Sequence, residues 1–285
     1  MRASAATEAG VSLPLEAYRV GATDRARLSR HDPDDRGPFA GDEGKEAAKA
    51  LFKAQKGRLA ELQKTLYADG SKALLVVLQA LDAGGKDGTI RKVMTGMNPQ
   101  GVRVSSFKAP SEQERSHDFL WRVHASCPAR GMIGVFNRSH YEDVLIARVR
   151  KLVPKRVWSA RFEHINAFER LLEDEGTRVL KIYLHIGPEE QAERFEARLE
   201  DPSKRWKFNP EDLETRAHWD AYRKAFEEVF EHCSSPQAPW YIVPANRKWY
   251  RNVVVAQLLI EALDGMKLRY PQPAEALEDT TIPDV

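Results

Sequence analysis

The residues best suited to chemistry lie in one stretch, Asp82-Ala83-Gly84-Gly85-Lys86-Asp87-Gly88-Thr89. Glycines at 84, 85 and 88 let backbone N–H groups turn toward a bound anion, and a helix beginning there adds partial positive charge. Lys86 stands where a cation reaches the outer phosphates of a chain. The match to the phosphate-loop pattern is partial. Ala80 occupies the place of the first glycine, and Asp87 the place of the Ser or Thr that holds magnesium. Asp82 and Asp87 are then the nearby carboxylates for a divalent cation. An ordinary glycine-rich turn is the plain alternative, and a strand before and a helix after favour phosphate.

A second cluster is Asn137-Arg138-Ser139-His140-Tyr141-Glu142-Asp143. Nucleotide-binding folds place an acidic metal residue at the end of such a strand. Here that place is Asn137, with Glu142 and Asp143 a few residues on. Arg138 has the planar fork that holds phosphate oxygens in pairs.

The elements around these clusters form a pattern. Residues 73–78 are an uninterrupted apolar run of strand length, as in strands buried on both faces. Further strands are expected at 102–104, 132–136, 179–186 and 240–243, with helices at 45–69, 111–125, 140–152, 188–199 and 253–268. Strands alternating with helices predict an α/β fold with a parallel sheet covered on both faces. Residues 189–233 break the alternation with two successive helical segments joined by the basic connector 201–208. Asn209 as cap, Pro210 at the first helical position and acidic Glu211 and Asp212 open the second segment. A helix pair of this kind predicts a lid. Residues 1–45 read as an irregular N-terminal arm, 46–270 as the main domain and 271–285 as a tail.

Composition excludes several classes. The chain has 285 residues, 42% hydrophobic and 30% charged, long enough for a substantial core and too polar for an integral membrane protein. Two cysteines, Cys127 and Cys233, make no disulfide framework. Without an apolar run of membrane or signal-peptide length, the expectation is a cytoplasmic protein with no membrane partner. The eight histidines show no zinc spacing. The formal charge of +2 hides local clustering: Arg148, Arg150, Lys151, Lys155, Arg156 and Arg161 form the densest basic run. Such a run fits a polyanion track or a solvated helix face equally well. The near-neutral total and the absence of interleaved aromatics argue against nucleic acid.

The two clusters, together with Asn98-Pro99-Gln100-Gly101, Lys204-Arg205-Trp206-Lys207 and Trp240-Tyr241-Ile242-Val243-Pro244-Ala245, closely resemble polyphosphate kinase family 2 over about residues 45–270. The form Asn-Arg-Ser-His-Tyr-Glu-Asp is similar to that family's class III branch, which phosphorylates nucleoside mono- and diphosphates. The resemblance implies a P-loop kinase-like fold with a helical lid, using magnesium, with manganese as substitute. It implies reversible transfer of the terminal phosphate of inorganic polyphosphate to AMP and ADP, giving ADP and ATP, in a homo-oligomer, dimer or tetramer. Asp82 would bind the metal, with Asp143 or Asp87 as helper, while Lys86 and Arg138 hold the transferring phosphates. Gly84, Gly85, Asp87, Gly88 and Thr89 would complete the phosphate loop, and Arg198, Lys204, Arg205 and Lys207 the lid. Asn137, Arg138 and Glu142 would meet the acceptor, Glu142 being the residue that admits AMP.

This chemistry suits the residues, because phosphoryl transfer needs positioning and charge neutralisation more than covalent help. An acceptor phosphate already ionised near neutral pH needs no general base, and no nucleophilic triad stands out. The rivals are an ATP-dependent nucleotide kinase and a non-catalytic polyanion-binding protein.

Overall fold

The computed structural model describes residues 11–22 and 25–272. In chain order the helices are α1 (Leu15–Tyr18), α2 (Gly41–Asp69), α3 (Lys86–Val93), α4 (Glu112–Arg115), α5 (Trp121–His124), α6 (Glu142–Val149), α7 (Lys155–Asp174), α8 (Pro188–Glu200), α9 (Pro210–Ala217), α10 (Trp219–Cys233) and α11 (Lys248–Gly265). The strands are β1 (Ala73–Ala80), β2 (Val102–Ser106), β3 (Ile133–Asn137), β4 (Thr177–His185) and β5 (Trp240–Pro244).

All five strands lie parallel in the order β2-β3-β1-β4-β5. Strand β1 is central, and all eight of its residues are buried. Its alternating side chains feed two apolar cores. Leu74, Val76 and Leu78 join the core under α2 and α11, while Leu75 and Val77 join the core under α6, α7 and α10. Each such Leu or Val contributes about 1.5–3 kcal/mol of transfer free energy, which is why an unbroken apolar run specifies this strand. Helix α11 is apolar on nearly every side because it lies between α2 and the sheet.

Several elements depart from the sequence expectation. The segment expected as one helix at 111–125 is two single turns. A capping box between Ser111 and Glu114 starts the first, and the helix stops at Arg115. Helix α7 was not among the expected elements; Trp158, Phe162, Ile165, Phe168 and Leu172 form its buried face. The second helical segment of the expected lid is interrupted at His218, giving α9 and α10, and α10 is a core helix, with Tyr222, Phe226, Val229 and Phe230 buried against the sheet. Helix α2 begins at Gly41, inside the expected arm.

Of the rest of the arm, the described residues 11–22 and 25–40 pack on the domain, and residues 1–10 lie outside the described residues. Leu15, Tyr18, Val20, Leu28 and Phe39 are buried. The Tyr18 hydroxyl donates to Asp35 Oδ2 at 2.6 Å and meets the Tyr250 hydroxyl at 2.7 Å, and Arg247 pairs with Asp34 at 2.7 Å. Of the expected tail, residues 273–285 lie outside the described residues.

Candidate active site

Chain order reverses around β1, since β1 leads toward the β2 edge and β3 leads across to β4. Parallel α/β sheets open a crevice at the carboxyl ends of the strands at such a point. The glycine loop leaves β1 there, and Asn137 and Arg138 leave β3 beside it, with Leu78 paired to Asn137 in the sheet.

The loop is built to turn sharply. Gly85 has φ +95° as the N-cap of α3, and a Cβ there would lie 2.2 Å from Nη1 of Arg251. Lys86 is the first helical residue and donates from Nζ to the Ala80 carbonyl at 3.0 Å. Burial, reinforced by the Arg138 charge, lowers its pKa. Thr89 turns inward and donates to the Gly85 carbonyl at 3.0 Å, so it braces the loop and does not line the cleft.

Arg138 takes φ +60° and donates from Nη2 to Asp82 Oδ1 at 2.8 Å. Burial opposes its charge, but Glu142 and Asp82 raise its pKa. Asn137 donates from Nδ2 to Asp87 Oδ1 at 2.7 Å. An Asp at that position would set two carboxylates against each other, whereas the amide engages Asp87 without repulsion. Glu142 begins α6 and lines a small cavity of about 40 Å³ with Arg138, Thr215, Tyr222 and Phe226. Burial raises its pKa against the pull of Arg138 and Lys86.

The structure does not bring every expected residue to the cleft. Asp143, expected as a metal helper, instead accepts from Arg161 at 3.4 Å and faces Arg122 at 3.9 Å. These two arginines satisfy its charge beside α7, away from the cleft lining. Arg205 donates to the Leu199 carbonyl at 2.7 Å and also lies outside that lining. Arg198, Lys204 and Lys207 do line it. Arg198 pairs with Asp212 at 3.4 Å. Half of the basic run at 148–161 faces carboxylates: Arg148 pairs with Glu228 at 2.6 Å, Arg150 faces Glu214 at 3.9 Å, and Arg161 turns to Asp143.

Other residues take the role of cationic lining. The cleft encloses about 1010 Å³, and ten of its lining side chains are Lys or Arg against five Asp or Glu. Arg194 donates to the Ala83 carbonyl at 2.9 Å and to the Ala245 carbonyl at 2.6 Å, and Gln191 donates to the Asp82 carbonyl at 2.8 Å. Helix α8 thus holds the glycine loop from above. Positions 191, 194 and 198 share one helical face, a spacing visible in the sequence. Arg251 lines the same cleft from α11, and burial, then the Arg194 charge, push its pKa down to about 9. Its distance in sequence from the loop leaves no local signal.

Among the described residues no group of three His, Cys, Asp or Glu could hold a metal ion unaided. Asp82 and Asp87 both line the cleft. That donor set fits magnesium, which keeps water and substrate phosphates as ligands and needs only one or two carboxylates.

A parallel sheet with a glycine loop and a strand-end arginine at its switch point defines a P-loop kinase-like architecture. The chain belongs to the polyphosphate kinase 2 family: the family model Polyphosphate kinase 2 matches residues 42–271. It is 52% identical over 268 residues to an AMP/ADP-polyphosphate phosphotransferase of Meiothermus ruber, covering 94% of this chain and 100% of that one. An ADP-polyphosphate phosphotransferase of Rhodopseudomonas palustris is 42% identical over 278 residues, covering 93% and 95%. The crystal structure of Polyphosphate Kinase 2 from Arthrobacter aurescens TC1 superposes with a TM-score of 0.88 at 45% identity, over 93% of this chain and 95% of that one.

Proposed function

We propose that this chain transfers the terminal phosphoryl group of inorganic polyphosphate to AMP and to ADP, reversibly, with magnesium. The observation that carries this reading is the cleft beside the glycine loop, whose lining has twice as many cationic as acidic side chains. A donor made only of phosphates offers nothing else to recognise, so cations at several points along it are what its site requires. The family relationship supports the same reaction.

The roles follow from position. Lys86 and the amides of Gly85, Asp87 and Gly88 hold the phosphate being transferred, while the Gly84 amide closes the turn on the Leu81 carbonyl at 3.0 Å. Arg138 bridges it toward the acceptor, beside Glu142. Arg198, Lys204 and Lys207, on α8 and the connector to α9, close over the chain and exclude water that would otherwise compete as acceptor. Magnesium, held by Asp82 with Asp87 beside it, supplies charge neutralisation on the phosphates when bound. No side chain needs to remove a proton, because the attacking phosphate oxygen is already anionic.

Glu142 distinguishes the acceptors in this reading, since its cavity adjoins the cleft through the two residues they share, Asp82 and Arg138. The enzyme acts in the cytoplasm, where nucleotides are available, as a homo-oligomer of two or four chains. The test is product formation from purified protein, magnesium and long-chain polyphosphate, with AMP and ADP supplied separately. ADP followed by ATP from AMP is the expected result. Product from ADP alone would remove the AMP claim, and product only from AMP plus ATP would make the protein a conventional nucleotide kinase.

A further inference from the structure

Beneath the Arg138–Glu142 loop lies a charged cluster with no opening to the cleft. Lys181 of β4 is fully buried, and its Nζ donates to Glu169 Oε2 at 2.5 Å and to the Cys233 carbonyl at 2.5 Å. Glu169 of α7, also buried, accepts from the Tyr141 hydroxyl at 2.7 Å through Oε1. His140 Nε2 meets the same oxygen at 3.2 Å. Four segments therefore converge on one ion pair: the loop after β3, helix α7, strand β4 and the C-terminus of α10.

Stability alone does not account for this arrangement. Removing two charges from water costs several kcal/mol per ion, and apolar replacements of a buried pair are often neutral or stabilising. The pair does offer fixed directions. His140 and Tyr141 lie between Arg138 and Glu142 in sequence, so tethering them to Glu169 sets where both flanking residues point. Gln79 of β1 tightens the same loop by donating to Ser139 Oγ at 3.1 Å. On the opposite side, Lys181 caps the carboxyl end of α10, where a cation opposes the helix dipole. Tyr222 and Phe226 of that helix form the other wall of the cavity at Glu142. Both walls are thus referred to one buried anchor.

We propose that Glu169 and Lys181 are positioning residues for the acceptor: together they hold the Arg138–Glu142 loop and helix α10 at a fixed separation and so set the width of the pocket between Glu142 and Tyr222. This rests on the reading of that pocket as the acceptor site. The donor cleft is built mainly from the glycine loop and α8, neither of which the pair touches, and it shares only Asp82 and Arg138 with the acceptor pocket.

The experiment compares wild type with the double variant Glu169→Gln/Lys181→Met, which removes both charges at once and leaves no lone buried ion. The melting temperature is expected to stay within about 2 °C of wild type. The KM for AMP is expected to rise about fivefold or more, with a clearly smaller rise in the KM for polyphosphate, since Arg138 alone of the loop lines both sites with Asp82. A folded double variant with unchanged AMP KM, or with both KM values moved by one common factor, overturns the proposal. Should the double variant not fold, Tyr141→Phe cuts the hydroxyl's link to the pair while keeping the ring. It is expected to raise the AMP KM about twofold with no effect on polyphosphate, and equal KM values would overturn the idea. Calorimetric binding of AMP to both proteins separates the two claims. A wild type that binds AMP but makes no product with polyphosphate sinks the proposed reaction. Equal AMP affinity in wild type and variant sinks the positioning role.

Discussion

Arg138 and Asp82 meet at 2.8 Å across the ends of two neighbouring strands, β3 and β1, and this contact ties the acceptor-side loop to the glycine loop. The two side chains are only partly covered, 39% and 14% exposed. An ion pair with that exposure contributes at most about 1 kcal/mol to folding. Its value is chemical, because it keeps an anion and a cation poised at one point of the cleft. Asp82→Asn should therefore leave the melting temperature nearly unchanged while lowering kcat by about 10²–10³. Retention on immobilised polyphosphate should survive. Normal turnover in this variant would remove Asp82 from the metal role.

Removal of divalent metal makes a related prediction. Chelation should abolish transfer, and added magnesium or manganese should restore it, since Asp82 and Asp87 lie among ten cationic side chains with which they would otherwise only pair. Activity persisting in excess chelator would contradict the assignment.

Lys86 is enclosed, with its Nζ directed at the Ala80 carbonyl. Lys86→Ala should reduce kcat/KM by about 10³ or more, because the cation acts on charge that develops during transfer. Lys86→Arg should not rescue it, since a planar fork does not fit the place of a compact ammonium. Stopped-time assays with polyphosphate and ADP decide this.

Gly85→Ala tests the loop itself. The residue has φ +95°, and a methyl there would strike Arg251. Backbone strain of about 1–2 kcal/mol is expected in thermal unfolding. Displacement of Arg251 should also raise the KM for polyphosphate about tenfold. A variant with wild-type values in both measurements would show that the loop is not held as described.

Stability at acid pH should depend on His185. Its Nε2 donates to the His31 carbonyl at 3.1 Å, while its Nδ1 is buried without a hydrogen-bond partner. Burial, helped by His31, pushes its pKa down to about 4 from the ordinary 6.5. Between those values the unfolded chain binds the extra proton, so stability is present above about pH 6.5 and is lost as pH falls toward 4. The loss reaches about 3 kcal/mol at pH 4. His185→Gln should flatten the melting-temperature profile across this window, and an unchanged profile would assign the acid sensitivity elsewhere.

The parallel sheet and the glycine turn at the end of β1 are legible in the amino-acid sequence alone. The strand at residues 73–78 is an unbroken aliphatic run because both its faces meet apolar helices, and that burial is a local property of composition. The glycine loop and Arg138 were legible for the same reason, since a turn around an anion needs particular residues at short spacing. Helix α7 carries a clear apolar period, but Lys155 and Arg156 in its first turn mask that period among neighbouring basic residues. Charge in sequence gives no sign of its partner. Only the tertiary structure shows that Arg148 and Arg161 are neutralised by Glu228 and Asp143 and that Asp143 turns from the cleft. It also brings Arg251 against Gly85, although 165 positions separate them in the chain. Side chains that meet across such separations are chosen by packing of whole helices on the sheet, and no local pattern records that choice.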